Sequence, residues 1–290
     1  MEHTTFSKLI AGVMTWGSWG KNLNTSDMEN LIQVCLENGL SSFDHADIYG
    51  GYSTESAFGT ALKQSGIDRK KIQLITKCGI QYQCENRPNQ IKHYDYSKDY
   101  IIWSVETSLK NLQTDYLDLL LLHRPSPLMH PEEIAEAIHR LKTEGKILDF
   151  GVSNFTASQT DLIQSAIKVN YNQIQFSATH LQPMLDGSLD YMQTQNIRPM
   201  AWNPLGSVFK RDDLQAQRVL SVVNKLAVKY ETAPDLILLS WILKHPAGIL
   251  PVCGTANPKR IKQLIKATEI DLELQDWFSI WVESTGNKVP

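Results

Sequence analysis

Long apolar runs are missing from this sequence. The most apolar stretches, residues 117–122 and 236–243, fall well short of the roughly 18 to 20 residues that carry a helix across a bilayer. The N-terminal Met1-Glu2-His3-Thr4 has no basic segment leading into an apolar one, so no secretory leader is read there and a cytoplasmic protein is expected. Cysteine is scarce: Cys35, Cys78, Cys84 and Cys253 are the only four, and no two form a Cys-x-x-Cys pair. That excludes a disulfide framework and a thiolate zinc site, and no bound metal is expected. Without a leader, the sequons at Asn24-Thr25-Ser26 and Asn154-Phe155-Thr156 carry no implication of glycosylation. An excess of either charge is absent too. Twenty-eight Lys and Arg against 31 Asp and Glu leave a net charge of -3, and no basic cluster interleaves with aromatics, so nucleic acid is not an expected partner. No low-complexity tract or flexible linker interrupts the chain, which reads as one domain over residues 1–290. A monomer is expected, because no strongly apolar exposed patch can be read from the sequence.

What is present is rhythm. Short apolar runs recur at 9–15, 41–43, 72–76, 117–122, 147–152, 173–176, 198–202 and 249–252, and each reads as a buried strand. Between them, helical spacing marks 27–37, 55–64, 97–112, 131–143, 157–166, 213–229 and 258–267. About eight strand-helix units in a chain near the ~250 residues typical of a (β/α)8 barrel predict that TIM-barrel fold. An open doubly wound sheet is the weaker alternative: Gly12-Val13-Met14-Thr15-Trp16-Gly17 lacks the Gly-x-Gly-x-x-Gly spacing, and no Walker A sequence occurs. Residues 271–284, with Leu272, Leu274, Trp277, Phe278, Ile280 and Trp281, predict an additional C-terminal helix packed outside the barrel. The polar stretch 81–96 is long for a connector and reads as a binding loop or lid, with His93, Tyr94 and Tyr96 as lid side chains.

In such a barrel the chemistry gathers where strands end at the C-terminal mouth. Three apolar runs there end in polar groups: Phe43-Asp44-His45-Ala46-Asp47-Ile48-Tyr49-Gly50, Thr76-Lys77, and Leu122-His123-Arg124. Taken singly, Asp44 reads as a turn residue, Lys77 as a surface cation, His123 as a bonded core histidine and Tyr49 as an aromatic plug. Together they carry more weight, because a Lys and an Asp sharing one cavity offset each other's desolvation cost.

The wording around these residues resembles the aldo-keto reductase superfamily, whose Asp, Tyr, Lys and His tetrad matches Asp44, Tyr49, Lys77 and His123. The similarity runs along the whole chain. It includes Asp115-Tyr116-Leu117-Asp118-Leu119, His123-Arg124-Pro125, Gly151-Val152-Ser153-Asn154-Phe155 and Arg198-Pro199-Met200-Ala201-Trp202. Within the superfamily, His45, Gly50-Gly51 and the run from His123 to Met129 look most similar to bacterial oxidoreductases of the YdhF type. The resemblance implies NADPH-dependent reduction of a small carbonyl compound, an aldehyde or ketone, to an alcohol. Tyr49 would be the general acid, Lys77 would ease its proton loss, Asp44 would hold Lys77, and His123 would orient the carbonyl.

For the cofactor, the same resemblance implies Ser153, Asn154 and Gln175 on the nicotinamide carboxamide and Trp202 stacked on its ring. Thr15, Trp16 and Asp44 would lie beside it, and Asn203-Pro204-Leu205-Gly206-Ser207 would turn over the pyrophosphate, with Lys210 and Arg211 as further cations. Gly254, Thr255, Asn257 and Arg260 would cradle the adenosine 2'-phosphate, and Arg260 favours NADPH over NADH. Relatives often carry a lysine after the eighth strand, a Glu-Asn pair in the following helix and an arginine before the Ser-Asn strand. This chain has Gly254, Gln263, Leu264 and Leu148 there. The expected substrate walls are Trp16, Trp19, His45, Tyr82 and Arg124, with Arg124 facing either an anionic tail or a rim carboxylate.

Other readings compete. Lys77 could form a Schiff base in aldol chemistry, Asp44, His45 and Asp47 could begin a metal site, and the barrel could bind NADPH as a redox-sensing module with little turnover.

Overall fold

The computed structural model describes residues 5–289. The N-terminal Met1-Glu2-His3-Thr4, read above for a leader, lies outside the described residues. In chain order the strands are β1 (Ile10–Gly12), β2 (Ser42–Asp44), β3 (Gln73–Cys78), β4 (Ile80–Gln81), β5 (His93–Tyr94), β6 (Leu117–Leu122), β7 (Ile147–Ser153), β8 (Tyr171–Gln175), β9 (Arg198–Trp202) and β10 (Leu250–Cys253). Eight of them close into a parallel barrel in the order β1-β10-β9-β8-β7-β6-β3-β2, while β4 and β5 form a separate antiparallel ribbon. The expected (β/α)8 barrel is therefore the fold.

Side chains alternate between two layers because successive residues of a strand face opposite ways. Ile10, Ile75, Leu119, Leu121, Tyr171, Met200, Leu250 and Val252 fill the barrel interior. Leu74, Leu120, Leu122, Phe150, Val152 and Ile174 face outward into the shell of helices. Burial on both faces explains why β6 reads as the nearly unbroken run Leu-Asp-Leu-Leu-Leu-Leu. Its one polar member, Asp118, accepts from the Leu74 amide at 2.8 Å and from the Arg69 guanidinium at 2.6 Å, which ties β6 to the entry of β3. Phe6 packs edge-on against Tyr171, the first residue of β8, at 5.3 Å between ring centres.

The helices follow the sequence pattern closely, from Thr25–Glu37, capped by the Asn24 side chain, to Leu214–Lys229, capped by Asp213. The segment read as one helix over 258–267 divides into Pro258–Leu264 and a 3-10 turn, Ile265–Thr268. Three helices were not anticipated: Gln182–Leu185, Ser188–Thr194 and Pro234–Leu243. The last is buried from Leu236 through Ile242, so it shows no apolar stripe and imitates a strand in sequence.

The C-terminal helix, Leu274–Thr285, lies outside the barrel as expected. Trp277 stacks on Trp241 at 5.1 Å, and each indole N-H donates to the other's backbone carbonyl. Among the described residues no helix is long and apolar enough to cross a membrane.

Candidate active site

Backbone pairing continues past the ends of β2 and β3 and sets the site. The His45 amide donates to the Ile75 carbonyl at 2.8 Å and the Asp47 amide to the Lys77 carbonyl at 3.0 Å. This brings Asp44 beside Lys77. The Lys77 ammonium donates to both Asp44 carboxylate oxygens at 2.8 Å, to the His45 carbonyl at 2.7 Å and to the Tyr49 hydroxyl at 3.3 Å. Lys77 is 1% exposed and lies at the bottom of this group.

Tyr49 descends into the mouth because the chain reverses immediately after it. Gly50 and Gly51 sit at φ 62° and 63°, a left-handed turn that glycine adopts without strain. His123 follows β6, with its amide donating to the Cys78 carbonyl at 3.0 Å and its ring 6.2 Å from that of Tyr49.

A second hydrogen-bonded run crosses the far side of the mouth. The Gln173 side-chain amide donates to Asp44 Oδ1 at 2.8 Å, and Ser153 Oγ donates to the Gln173 carbonyl at 2.9 Å. Asn154 donates to Ser153 Oγ at 2.8 Å and accepts from the Trp202 indole at 2.8 Å. Strands β2, β3, β7, β8 and β9 are thus joined by side chains at one level.

Burial works against charge throughout this group. It lowers the proton affinity of Lys77, but the Asp44 charge, Tyr49 and the bonds to both outweigh it, so the ammonium is held above its ordinary range. The Tyr49 phenol is raised by burial, opposed by the charge of Lys77, and the net direction is upward. His123 is lowered well below its usual value by burial and then by Lys77, Arg124 and Lys92, so the ring is neutral near pH 7. A buried ammonium, a protonated phenol and a neutral imidazole therefore meet at one place. The arrangement can donate a proton to an oxygen and stabilise the phenolate that remains.

Above them opens a cavity of about 1460 Å³. Asp44, Tyr49 and His123 form its floor. From the expected cofactor set, Thr15, Ser153 and Asn154 line it, as do Trp202, Asn203, Pro204, Leu205 and Gly206 after β9 and Gly254, Thr255, Asn257 and Arg260 after β10. Lys210 also lines the cavity, and Trp19, Tyr82 and Arg124 stand on the wall nearest Tyr49.

Other expectations are corrected. Trp16 is fully buried in the core against Phe43 and Phe58, and its indole N-H donates to the Thr255 carbonyl at 3.1 Å. It braces the β10 loop from beneath, because the β1 loop folds inward at that residue. His45 is also fully buried, edge-on against Phe58 at 4.4 Å. As the neighbour of inward-facing Asp44 on an extended chain, it must point outward.

Gln173, not Gln175, lines the cavity. Both have the inward parity, but Gln173 is in register with Ser153 at the level of Asp44, two residues deeper. Ser207 and Arg211 do not line the cavity, and the Ser207 amide turns away to donate to Thr179.

The 81–96 stretch folds into the β4-β5 ribbon, where His93 and Tyr94 face solvent rather than the cavity. Tyr96 is buried: its hydroxyl donates to the Arg124 carbonyl at 2.6 Å and accepts from the Arg124 amide at 3.0 Å. It fixes the turn that carries Arg124 and is no lid. Sequence reasoning missed the lining residues Lys21, Ile48, Ile80, Lys92 and Phe209. Ile48 sits unremarked inside the Phe43–Gly50 motif, and no motif marks the other four, which come from segments following different strands.

A closed parallel barrel with an Asp-Lys-Tyr-His group at its C-terminal mouth defines a (β/α)8 protein equipped for proton transfer beside a large cavity. Comparison with known proteins supplies the family. Residues 8–281 match the model of the Aldo/keto reductase family, and the chain belongs to it. It is 42% identical to the uncharacterized oxidoreductase YcsN of Bacillus subtilis, over 100% of this chain and 98% of that one. It is 38% identical to the oxidoreductase YdhF of Escherichia coli, over 98% and 96% of the two chains. A protein of Agrobacterium fabrum named 6-dehydroglucose reductase is 37% identical, over 97% of each. Membership makes this protein an oxidoreductase of the aldo-keto reductase type.

Proposed function

We propose that the protein reduces the carbonyl of a small aldehyde or ketone to an alcohol, with NADPH as the bound cofactor and Tyr49 as the general acid. The observation that carries the reading is the contact of the protonated Tyr49 phenol with Lys77 at 3.3 Å, on the cavity floor, with Lys77 itself anchored on Asp44. A free tyrosine, with a pKa near 10, is a poor acid at neutral pH, and an adjacent ammonium lowers the free energy of the phenolate as the proton leaves. His123, neutral and beside Tyr49, donates its ring N-H to the same carbonyl oxygen and fixes its direction. Asp44 keeps the ammonium in place.

The cavity fits a dinucleotide with room for a substrate. When bound, NADPH supplies the hydride. Ser153, Asn154 and Gln173 offer an amide-binding edge to the carboxamide, and Trp202 offers a flat face to the ring. Lys21, Lys210 and Arg260 line the part of the cavity beside β1, β9 and β10 and would hold the phosphates. Arg260 supports a 2'-phosphate and hence NADPH over NADH, since a guanidinium matches phosphate oxygens two at a time.

The test is NADPH oxidation over a panel of aldehydes, ketones, dicarbonyls and quinones. The name of the Agrobacterium relative adds a sugar aldehyde to that panel. Tyr49→Phe is expected to abolish turnover while keeping NADPH affinity, and Arg260→Ala to weaken that affinity by about tenfold. Tight NADPH binding without turnover on any carbonyl would instead favour a redox-sensing module.

A further inference from the structure

The charges lining the cavity are uneven. Five cations face it, Lys21, Lys92, Arg124, Lys210 and Arg260, against two carboxylates, Asp44 and Asp235. Asp44 is already engaged by Lys77 and Gln173. The barrel order divides the cations into two groups. Lys210, Arg260 and Asp235 lie on segments following β9 and β10, and Lys21 follows β1, the neighbour of β10. Lys92 precedes β5, which follows β3, and Arg124 follows β6, the barrel neighbour of β3.

Lys92 and Arg124 thus stand together across the mouth from the cations assigned to the dinucleotide. No described carboxylate forms an ion pair with either of them. Both are close enough to His123 to oppose its protonation. The Arg124 turn is locked through both backbone polar atoms by the Tyr96 hydroxyl. Its guanidinium lies 5.7 Å from the centre of the Trp202 ring, so the side chain reaches over the mouth. The cavity wall around Tyr49 is apolar and aromatic: Trp19 packs against both Tyr49 and Tyr82, and these two tyrosines pack on Ile48 and Ile80.

We propose that Lys92 and Arg124 form an anion subsite, so that the preferred substrate is a carbonyl compound whose far end carries a carboxylate or phosphate. The proposal rests on the carbonyl-reductase reading and names its substrate class. Two unpaired cations beside a low-dielectric wall attract an anion more strongly than they would on open surface. A guanidinium with a pinned backbone gives that attraction a direction.

The experiment compares matched pairs: 4-formylbenzoate against its methyl ester, and glyceraldehyde 3-phosphate against glyceraldehyde. NADPH oxidation gives kcat/KM for each. Calorimetry gives the affinity of the protein, with and without NADPH, for 4-(hydroxymethyl)benzoate and for its methyl ester, alcohols that cannot react with the reduced cofactor. The expected result is a preference of about tenfold or more for the charged member, carried by KM, retained in Lys92→Arg with Arg124→Lys, and reduced to near parity in Lys92→Ala with Arg124→Ala. Lys92→Ala alone, on an exposed loop, is expected to lose part of the preference and guards against a misfolded double variant.

The pair that shows the larger ratio tells carboxylate from phosphate. Parity in the unaltered protein, or a preference that survives the alanine changes, overturns the subsite. Silence of NADPH oxidation on every carbonyl, with the calorimetric preference intact, would sink the reductase reading and leave the subsite standing.

Discussion

Tyr49 is pulled two ways, by burial that favours the phenol and by Lys77 that favours the phenolate. Burial dominates, so the phenol carries its proton across the neutral range and the reduction should fall only at alkaline pH, above the ordinary tyrosine range. Replacing Lys77 by Met removes the opposing charge. The expected outcome is a loss of roughly 10²- to 10⁴-fold in kcat, with the alkaline limb of any residual activity moved to higher pH. A pH-rate profile of both proteins checks it; a limb moved downward would contradict the role of the ammonium.

Asp47, two residues before Tyr49, is a different case. Its carboxyl is buried with Oδ1 unpartnered and Oδ2 accepting from Ser104 at 3.3 Å, and burial, aided by Glu55, pushes it up to about 8. A carboxyl raised in the fold opposes folding increasingly as pH climbs from the unfolded value near 4 to the folded one near 8. Asp47→Asn mimics the protonated form. Its melting temperature should match the parent near pH 4 and exceed it increasingly toward pH 8.

Among the elements, the β2-to-helix segment is the most demanding. A Cβ on Gly50 would lie 2.5 Å from Thr54 Oγ1, on a backbone already at positive φ. Gly50→Ala should therefore displace Tyr49 and cut kcat by tenfold or more, with a far smaller change in NADPH affinity, because a misplaced reacting group costs rate before binding. Steady-state kinetics beside a cofactor titration tests this. The same scale shows where sequence patterns carry and where they fail. Strand β6 and the helix Pro131–Thr143 stand at the residues their patterns mark. Pro234–Leu243 escaped notice because a helix apolar all round loses its period, and the 81–96 stretch gave no sign that a two-stranded ribbon would organise it.

For the whole molecule, a cofactor reaching from Arg260 to Trp202 would bridge the loops of β9 and β10. It should stabilise the fold by linkage, about 2.7 kcal/mol at a hundredfold excess over its Kd. NADPH should raise the melting temperature of the parent and of Tyr49→Phe alike, and raise that of Arg260→Ala less at equal concentration. No shift in the parent would remove the cofactor assignment. Barrel closure also decides what a residue can do. Trp16 and His45 have the chemistry of a pocket wall, but their places in the chain turn them into the packed layer around Phe58.

The sequence by itself determined the barrel, through eight apolar runs and the seven helical stretches between and after them, and the family, through the residues that end the second, third and fourth runs. Those signals are local, because periodicity and motif are properties of neighbours in the chain. Only the tertiary structure decided that Gln173 rather than Gln175 meets Asp44, that Tyr96 locks a turn, and that Lys92 stands on the same side of the mouth as Arg124. Each of those follows from strand register and loop path across a closed barrel, which bring together residues far apart in sequence.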